Sequence, residues 1–223
     1  MHVHLPEVMK LAIFQCEKNK DKVARLVKRI KELGSDVEVF EDEPAQSRYS
    51  YPAITTYAFI HVATALRSER FLWLESDSIP ITDDWLSRIE RYDDVFGVEH
   101  ILAPARSKNP HDVASGICVY PKGIVELLPP IGFFEVQPYA FDLWLERNLS
   151  ERIVRTPHIQ HSYGIYDYNG HASPHRFPRD NHILKKETVL FHADKHQDLL
   201  ALTDHERDEL DSDMSFELPM PVA

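Results

Sequence analysis

Residues 71–80 read Phe71-Leu72-Trp73-Leu74-Glu75-Ser76-Asp77-Ser78-Ile79-Pro80. Four apolar side chains stop abruptly at two carboxylates spaced i, i+2, the pattern of a buried strand whose C-terminal end opens into an acidic loop. In an open α/β sheet, ligands bind at that end. Two carboxylates beside a buried strand are costly unless a cation neutralises them, and a hard divalent ion carrying a phosphorylated ligand suits oxygen donors of this kind. A solvated turn in which Asp77 or Ser78 caps the next element accounts for the same residues without an ion.

Upstream, residues 10–16 read as a first strand, and 19–33 as a helix with Val23, Leu26, Val27, Ile30 and Leu33 on one stripe before Gly34, a good residue just past a helix end. Residues 36–40 alternate as a second strand that the acidic stretch 41–44 terminates. Residues 53–66 are apolar almost all round and predict a buried helix leading into the strand at 70–74. The order β-α-β-α-β predicts a parallel, helix-covered sheet.

Downstream, Thr82 is placed to cap a helix whose first turn carries Asp83 and Asp84 and which buries Trp85, Leu86 and Ile89. Strands are expected at 95–103, 115–120, 153–155, 158–161 and 189–192, and helices at 122–128 and 139–149. The loop 163–181, rich in Gly, Pro, His and Arg, has the length of an active-site lid.

The chain has 223 residues, with 36 acidic against 25 basic side chains and a formal net charge of −11. Such a balance disfavours broad binding to nucleic acid or an anionic membrane. Cys16 and Cys118 sit in apolar strand contexts without zinc spacing and read as buried, reduced thiols. No signal-peptide pattern and no run of 18 apolar residues occurs, so a cytoplasmic protein is expected. The expected organisation is one domain over 1–203 followed by an acidic tail over 204–223.

In element order and motifs, residues 10–200 resemble a GT-A-type glycosyltransferase, including small bacterial and phage members of that kind. The resemblance implies an α/β fold with a mostly parallel central sheet and helices on both faces. It also implies transfer of a sugar from a nucleoside diphosphate sugar, UDP-sugar first among them, to an acceptor hydroxyl. Glu75-Ser76-Asp77 matches the family's Asp-x-Asp motif in position and spacing, with Glu in place of the first Asp. Glu75 and Asp77 would then hold Mn²⁺ or Mg²⁺, with Ser76 beside the donor. Phe191-His192-Ala193-Asp194-Lys195 is similar to the His-x-x-Lys signature in which the His completes the metal site and the Lys neutralises a phosphate.

Asp142, alone in the apolar segment 139–145, corresponds to the carboxylate that deprotonates the acceptor in inverting members, and Glu135 competes for that role. As a helix-start acid, Asp142 equally suits the helix dipole. Gly116 would lie under the donor sugar, while Gln15, Glu17 and Lys18 after the first strand would face the base and ribose. The acceptor is a carbohydrate or another hydroxyl, and a hydroxymethylated phage DNA base stands as the disfavoured case because of the net charge. A sugar nucleotidyltransferase is the rival enzyme, yet residues 15–19 lack the Gly-rich loop it needs. The other rival is a non-catalytic sugar- or partner-binding module. The histidines crowded into the last third (158, 161, 171, 175, 182, 192, 196 and 205) raise a separate zinc reading, against which stands the absence of an HExxH motif.

Overall fold

The computed structural model describes residues 9–41, 49–50, 52–96, 99–104, 117–161 and 187–192. Strand β1 (Lys10–Gln15) leads into helix α1 (Lys20–Glu32), strand β2 (Glu38–Glu41), helix α2 (Ala53–Ala65) and strand β3 (Phe71–Leu74). Strand β4 (Ser78–Pro80), helix α3 (Trp85–Phe96), and strands β5 (Ile101–Pro104) and β6 (Val119–Tyr120) follow. Then come a 3-10 turn (Ile124–Leu127), helices α4 (Ile131–Glu135) and α5 (Phe141–Asn148), and a second 3-10 turn (Ser150–Arg152). Strands β7 (Ile153–Thr156), β8 (Ile159–His161) and β9 (Leu190–His192) end the described chain.

A six-stranded sheet has the order β2-β1-β3-β6-β5-β7. All its strands run parallel except β6, which is antiparallel to β3 and β5. A smaller sheet has the order β4-β9-β8. Strand alternation feeds two cores. Ala12, Phe14, Phe71, Trp73, Ile101, Ala103, Cys118 and Tyr120 face α2, α4 and α5, whereas Leu11, Ile13, Leu72, Leu74, Leu102 and Val119 face α1, α3 and the small sheet. Near-continuous apolar strands are what a sheet covered on both faces requires.

Helix α1 buries Val23, Leu26 and Ile30. Asn19 closes the turn before it, accepting from Cys16 N at 2.6 Å and donating to Phe14 O at 3.2 Å. Gly34, at φ 75°, ends the helix as expected, with Gly34 N donating to Lys31 O and Ser35 N to Ile30 O.

Several boundaries differ from the sequence reading. The strand expected over 95–103 begins only at Ile101, because α3 continues to Phe96. Its inward positions are Trp85, Ile89 and Asp93, and the polar third member conceals the stripe. Asp93 is buried against Arg70, and that burial raises its carboxyl to about 7 against the opposing pull of the guanidinium. The helix expected over 122–128 is a 3-10 turn entered through Gly123 at φ 69°. Neither β4 nor the short α4 was expected. Cys16 is half-buried and Cys118 buried, and no disulfide joins them. The loop 163–181 and the tail 204–223 lie outside the described residues.

Helix α5 starts at Phe141 with no cap from its own Ala140. Buried Thr56 of α2 supplies the missing acceptor, its Oγ1 taking the bond from Phe141 N at 3.0 Å. Phe141 stacks on Phe59 at 3.9 Å between centroids, and Phe59 in turn meets Tyr120 at 4.6 Å. Thr56→Val keeps the shape and leaves that amide unpaired. It is expected to lower unfolding free energy by about 1–3 kcal/mol in urea titrations with unchanged slope.

Candidate functional site

The five parallel strands of the large sheet end on one edge, and Glu75 follows β3 there. Continuing the alternation of Phe71 and Trp73, it leans toward the α2/α5 face. A turn closed by Ser78 N donating to Glu75 O at 3.0 Å sends the chain straight into β4. Strand β4 pairs antiparallel with β9, and Ser78 sits opposite His192. That register brings a histidine from the far end of the chain against the acidic turn.

His192 Nε2 lies 2.9 Å from Glu75 Oε2 and 2.9 Å from Asp77 Oδ1. Burial would lower the imidazole, but the Glu75 and Asp77 carboxylates outweigh it and push His192 up to about 10. Burial would likewise raise Asp77, yet the hydrogen bond and charge of His192, with Lys22 adding its field from α1, hold that carboxyl below the ordinary range. One ligand atom from each of Glu75, Asp77 and His192 falls within 4.8 Å of the others. Two carboxylate oxygens and one imidazole nitrogen form a donor set that suits Mn²⁺ or Mg²⁺, with positions left over for phosphate oxygens. The set expected from sequence is therefore brought together in space.

Asp142, in the first turn of α5, is partly buried, and its Oδ1 accepts from Leu143 N at 2.8 Å. Burial first, and then the Glu75 carboxylate, raise it to about 6. The two acids thus share one field although they come from different elements. Tyr120, fully buried in β6, is raised well above the usual tyrosine range by burial, with Cys118 and then the Asp142 and Glu75 carboxylates contributing.

Of the other candidates, those that follow β1 and β3 lie on the same edge. Ser76 sits half-buried between the two acids. Gln15 ends β1 and donates through Nε2 to Glu41 Oε1 across the β1–β2 register. Lys18 is exposed in the turn before α1, and Glu135 is exposed at the end of α4. Gly116 and Lys195 lie outside the described residues.

One neighbour of the site was not singled out from sequence. His161 ends β8, is paired in register with His192, and stacks on its ring at 4.4 Å between centroids and 28° between planes. Burial holds His161 well below the ordinary histidine range, and His192 adds to the effect. The signal was present in the chain: Ile159-Gln160-His161 and Leu190-Phe191-His192 are short strands that both end in histidine. Of the histidines in the zinc reading other than His161 and His192, His158 uses Nδ1 on Glu187 O at 2.9 Å, and those at 171, 175, 182, 196 and 205 lie outside the described residues.

No family model matches the chain, and no curated protein matches it. Solved structures do. A glycosyltransferase involved in the glycosylation of the major capsid of PBCV-1 aligns at TM-score 0.54 and 14% identity, over 90% of this chain and 97% of its own. The WbbM bifunctional glycosyltransferase aligns at TM-score 0.56 and 12% identity, over 86% of this chain and 46% of that one. GlyE, a glycosyltransferase of Streptococcus pneumoniae, aligns at TM-score 0.53 and 14% identity, over 83% of this chain and 55% of that one. The chain spans about half the length of the last two. The fold is the GT-A-type fold of these glycosyltransferases, with the acidic turn after β3 on the edge where the parallel strands of its sheet end.

Proposed function

We propose that the protein is a metal-dependent glycosyltransferase that moves a sugar from a nucleoside diphosphate donor to an acceptor hydroxyl. The observation that carries this reading is the meeting of Glu75, Asp77 and His192 at one sheet edge with Asp142 in the field of Glu75. Glu75, Asp77 and His192 would hold Mn²⁺ or Mg²⁺, which supplies positive charge to the donor diphosphate and its departing oxygen. Lys195 would add a point charge to the same phosphates. Gln15 and Lys18 would face the base and ribose of a UDP-sugar, and Ser76 and Gly116 would line the path to the sugar.

Asp142 would take the proton from the acceptor hydroxyl as the new bond to the sugar forms. A carboxyl raised to about 6 is ionised at neutral pH yet basic enough for that transfer, which favours turnover over a binding-only module. The acceptor is a carbohydrate or another hydroxyl compound. The formal charge of −11 argues against a hydroxymethylated DNA base, and the missing Gly-rich loop argues against nucleotidyl transfer.

Asp77→Asn is expected to abolish Mn²⁺ binding in calorimetry while leaving the circular dichroism spectrum unchanged. Binding as tight as wild type would remove the metal assignment.

The ion must displace the proton that His192 carries up to about pH 10. The Mn²⁺ dissociation constant should therefore fall about tenfold for each pH unit between pH 6.5 and 8.5. A pH-independent constant would contradict the ligand role of His192.

Asp142→Asn should lower kcat for transfer from a UDP-sugar by about 10² to 10⁴, with Mn²⁺ and UDP affinity near wild type. With Mn²⁺ kept saturating, the acid limb of the wild-type rate profile, at or below about pH 6, should vanish with it. A rate within a few-fold of wild type would reduce Asp142 to a helix-start residue.

A further inference from the structure

A histidine that binds a metal through one ring nitrogen is ordinarily fixed by a hydrogen bond from the other. His192 is built differently. Its Nε2 faces the carboxylates of Glu75 and Asp77, while its Nδ1 is buried with no hydrogen-bond partner among the described residues. Rotation about the side-chain bonds is therefore not restrained from the Nδ1 side by any group described. What covers the ring is His161. Strands β8 and β9 are parallel with His161 opposite His192, so both side chains leave the same face of the small sheet, and the rings overlap at 4.4 Å and 28°. On the other flank, Ser78 of β4 occupies the matching position. Among the described residues, the imidazole is thus held by ring-on-ring packing and not by a second hydrogen bond.

The consequence concerns which ion is chosen. A site of carboxylate oxygens alone treats Mn²⁺ and Mg²⁺ as similar hard cations, whereas an imidazole nitrogen favours the transition metal. That preference exists only while Nε2 stays aimed at the two acids. We propose that His161 is a positioning residue that keeps His192 in ligating orientation by stacking, and that it thereby sets the preference of the site for Mn²⁺ over Mg²⁺. The proposal rests on the metal reading of Glu75, Asp77 and His192.

The test is calorimetric titration of the full chain with MnCl₂ and with MgCl₂, without nucleotide, for wild type, His161→Ala, His161→Phe and His192→Ala. Phe preserves an aromatic face and removes both ring nitrogens, so it separates stacking from ligation or proton exchange by His161. Wild type should favour Mn²⁺ by about tenfold or more, on the scale of one ligand's contribution. His161→Ala should bring the Mn²⁺/Mg²⁺ ratio down to that of His192→Ala, and His161→Phe should restore it to within about twofold of wild type. The Mn²⁺ electron paramagnetic resonance spectrum should follow the same pairing, with Phe like wild type and Ala like His192→Ala, which a general loss of packing would not reproduce.

An unchanged ratio in His161→Ala would overturn the proposal and leave the metal site intact. A Phe variant as poor as the Ala variant would also overturn it, by making His161 a direct participant. Wild type that binds neither ion would refute the metal reading itself, and the positioning role with it. Should His161→Ala fail to fold, a Phe variant with wild-type ratio still supports stacking, and one with the ratio of His192→Ala refutes it.

Discussion

A single imidazole nitrogen placed between two carboxylates ties the protein together at its ligand edge. His192 and Asp77 are 115 positions apart in the chain, and no local propensity brings them near each other. Their meeting follows from the β4–β9 register, which seats His192 opposite Ser78, immediately after Asp77. Each partner depends on the other: the acids keep a buried imidazole protonated against the cost of burial, and the imidazole keeps Asp77 ionised where burial would neutralise it. A buried charge left alone at this edge would cost several kcal/mol, so the triad is stable as a set and not as parts. Under the proposed metal reading, the same three groups would exchange a proton for an ion.

The remaining chemistry is held from the opposite face of the sheet. Asp142 belongs to α5, whose first amide is capped by Thr56 of α2 and whose Phe141 stacks on Phe59. The acid thereby inherits the rigidity of the aromatic core, although its own helix has only eight residues. Glu75 joins the two halves, since it both contacts His192 and raises Asp142. Under the proposed roles the two acids would be coupled through this link, because positive charge bound beside Glu75 would relieve its repulsion of Asp142.

Much of this was legible in the chain, for identifiable reasons. The run Phe71–Leu74 ending in Glu75 and Asp77 announced a buried strand and the acidic turn that follows it, since a covered parallel strand must be apolar on both faces and polar only where it emerges. Gly34 announced the end of α1 because a left-handed residue is needed there. The full extent of α3 was hidden by Asp93, a carboxylate in a core position made tolerable only by Arg70. Strand β4 was hidden by its brevity, and with it the small sheet that gathers the histidines. His161 was visible as a residue and invisible as a neighbour, because a cross-strand register between β8 and β9 has no local signature.

The small sheet also bears on how the chain reaches its final state. Its three strands have only three residues each and come from positions 78–80, 159–161 and 190–192. Pairings of that kind return few hydrogen bonds for the long loops they close, so their formation leans on a folded platform already in place. The large sheet supplies it: β1, β2 and β3 pair within the first 74 positions, and their apolar face receives Ile159, Val189 and Leu190. Opening of the ligand edge is accordingly cheaper than opening of the core, and any cation seated there would act as a clasp on the region with the weakest local support. In such a protein, the affinity of a cation seated there and the rigidity of the small sheet would be two readings of one free energy.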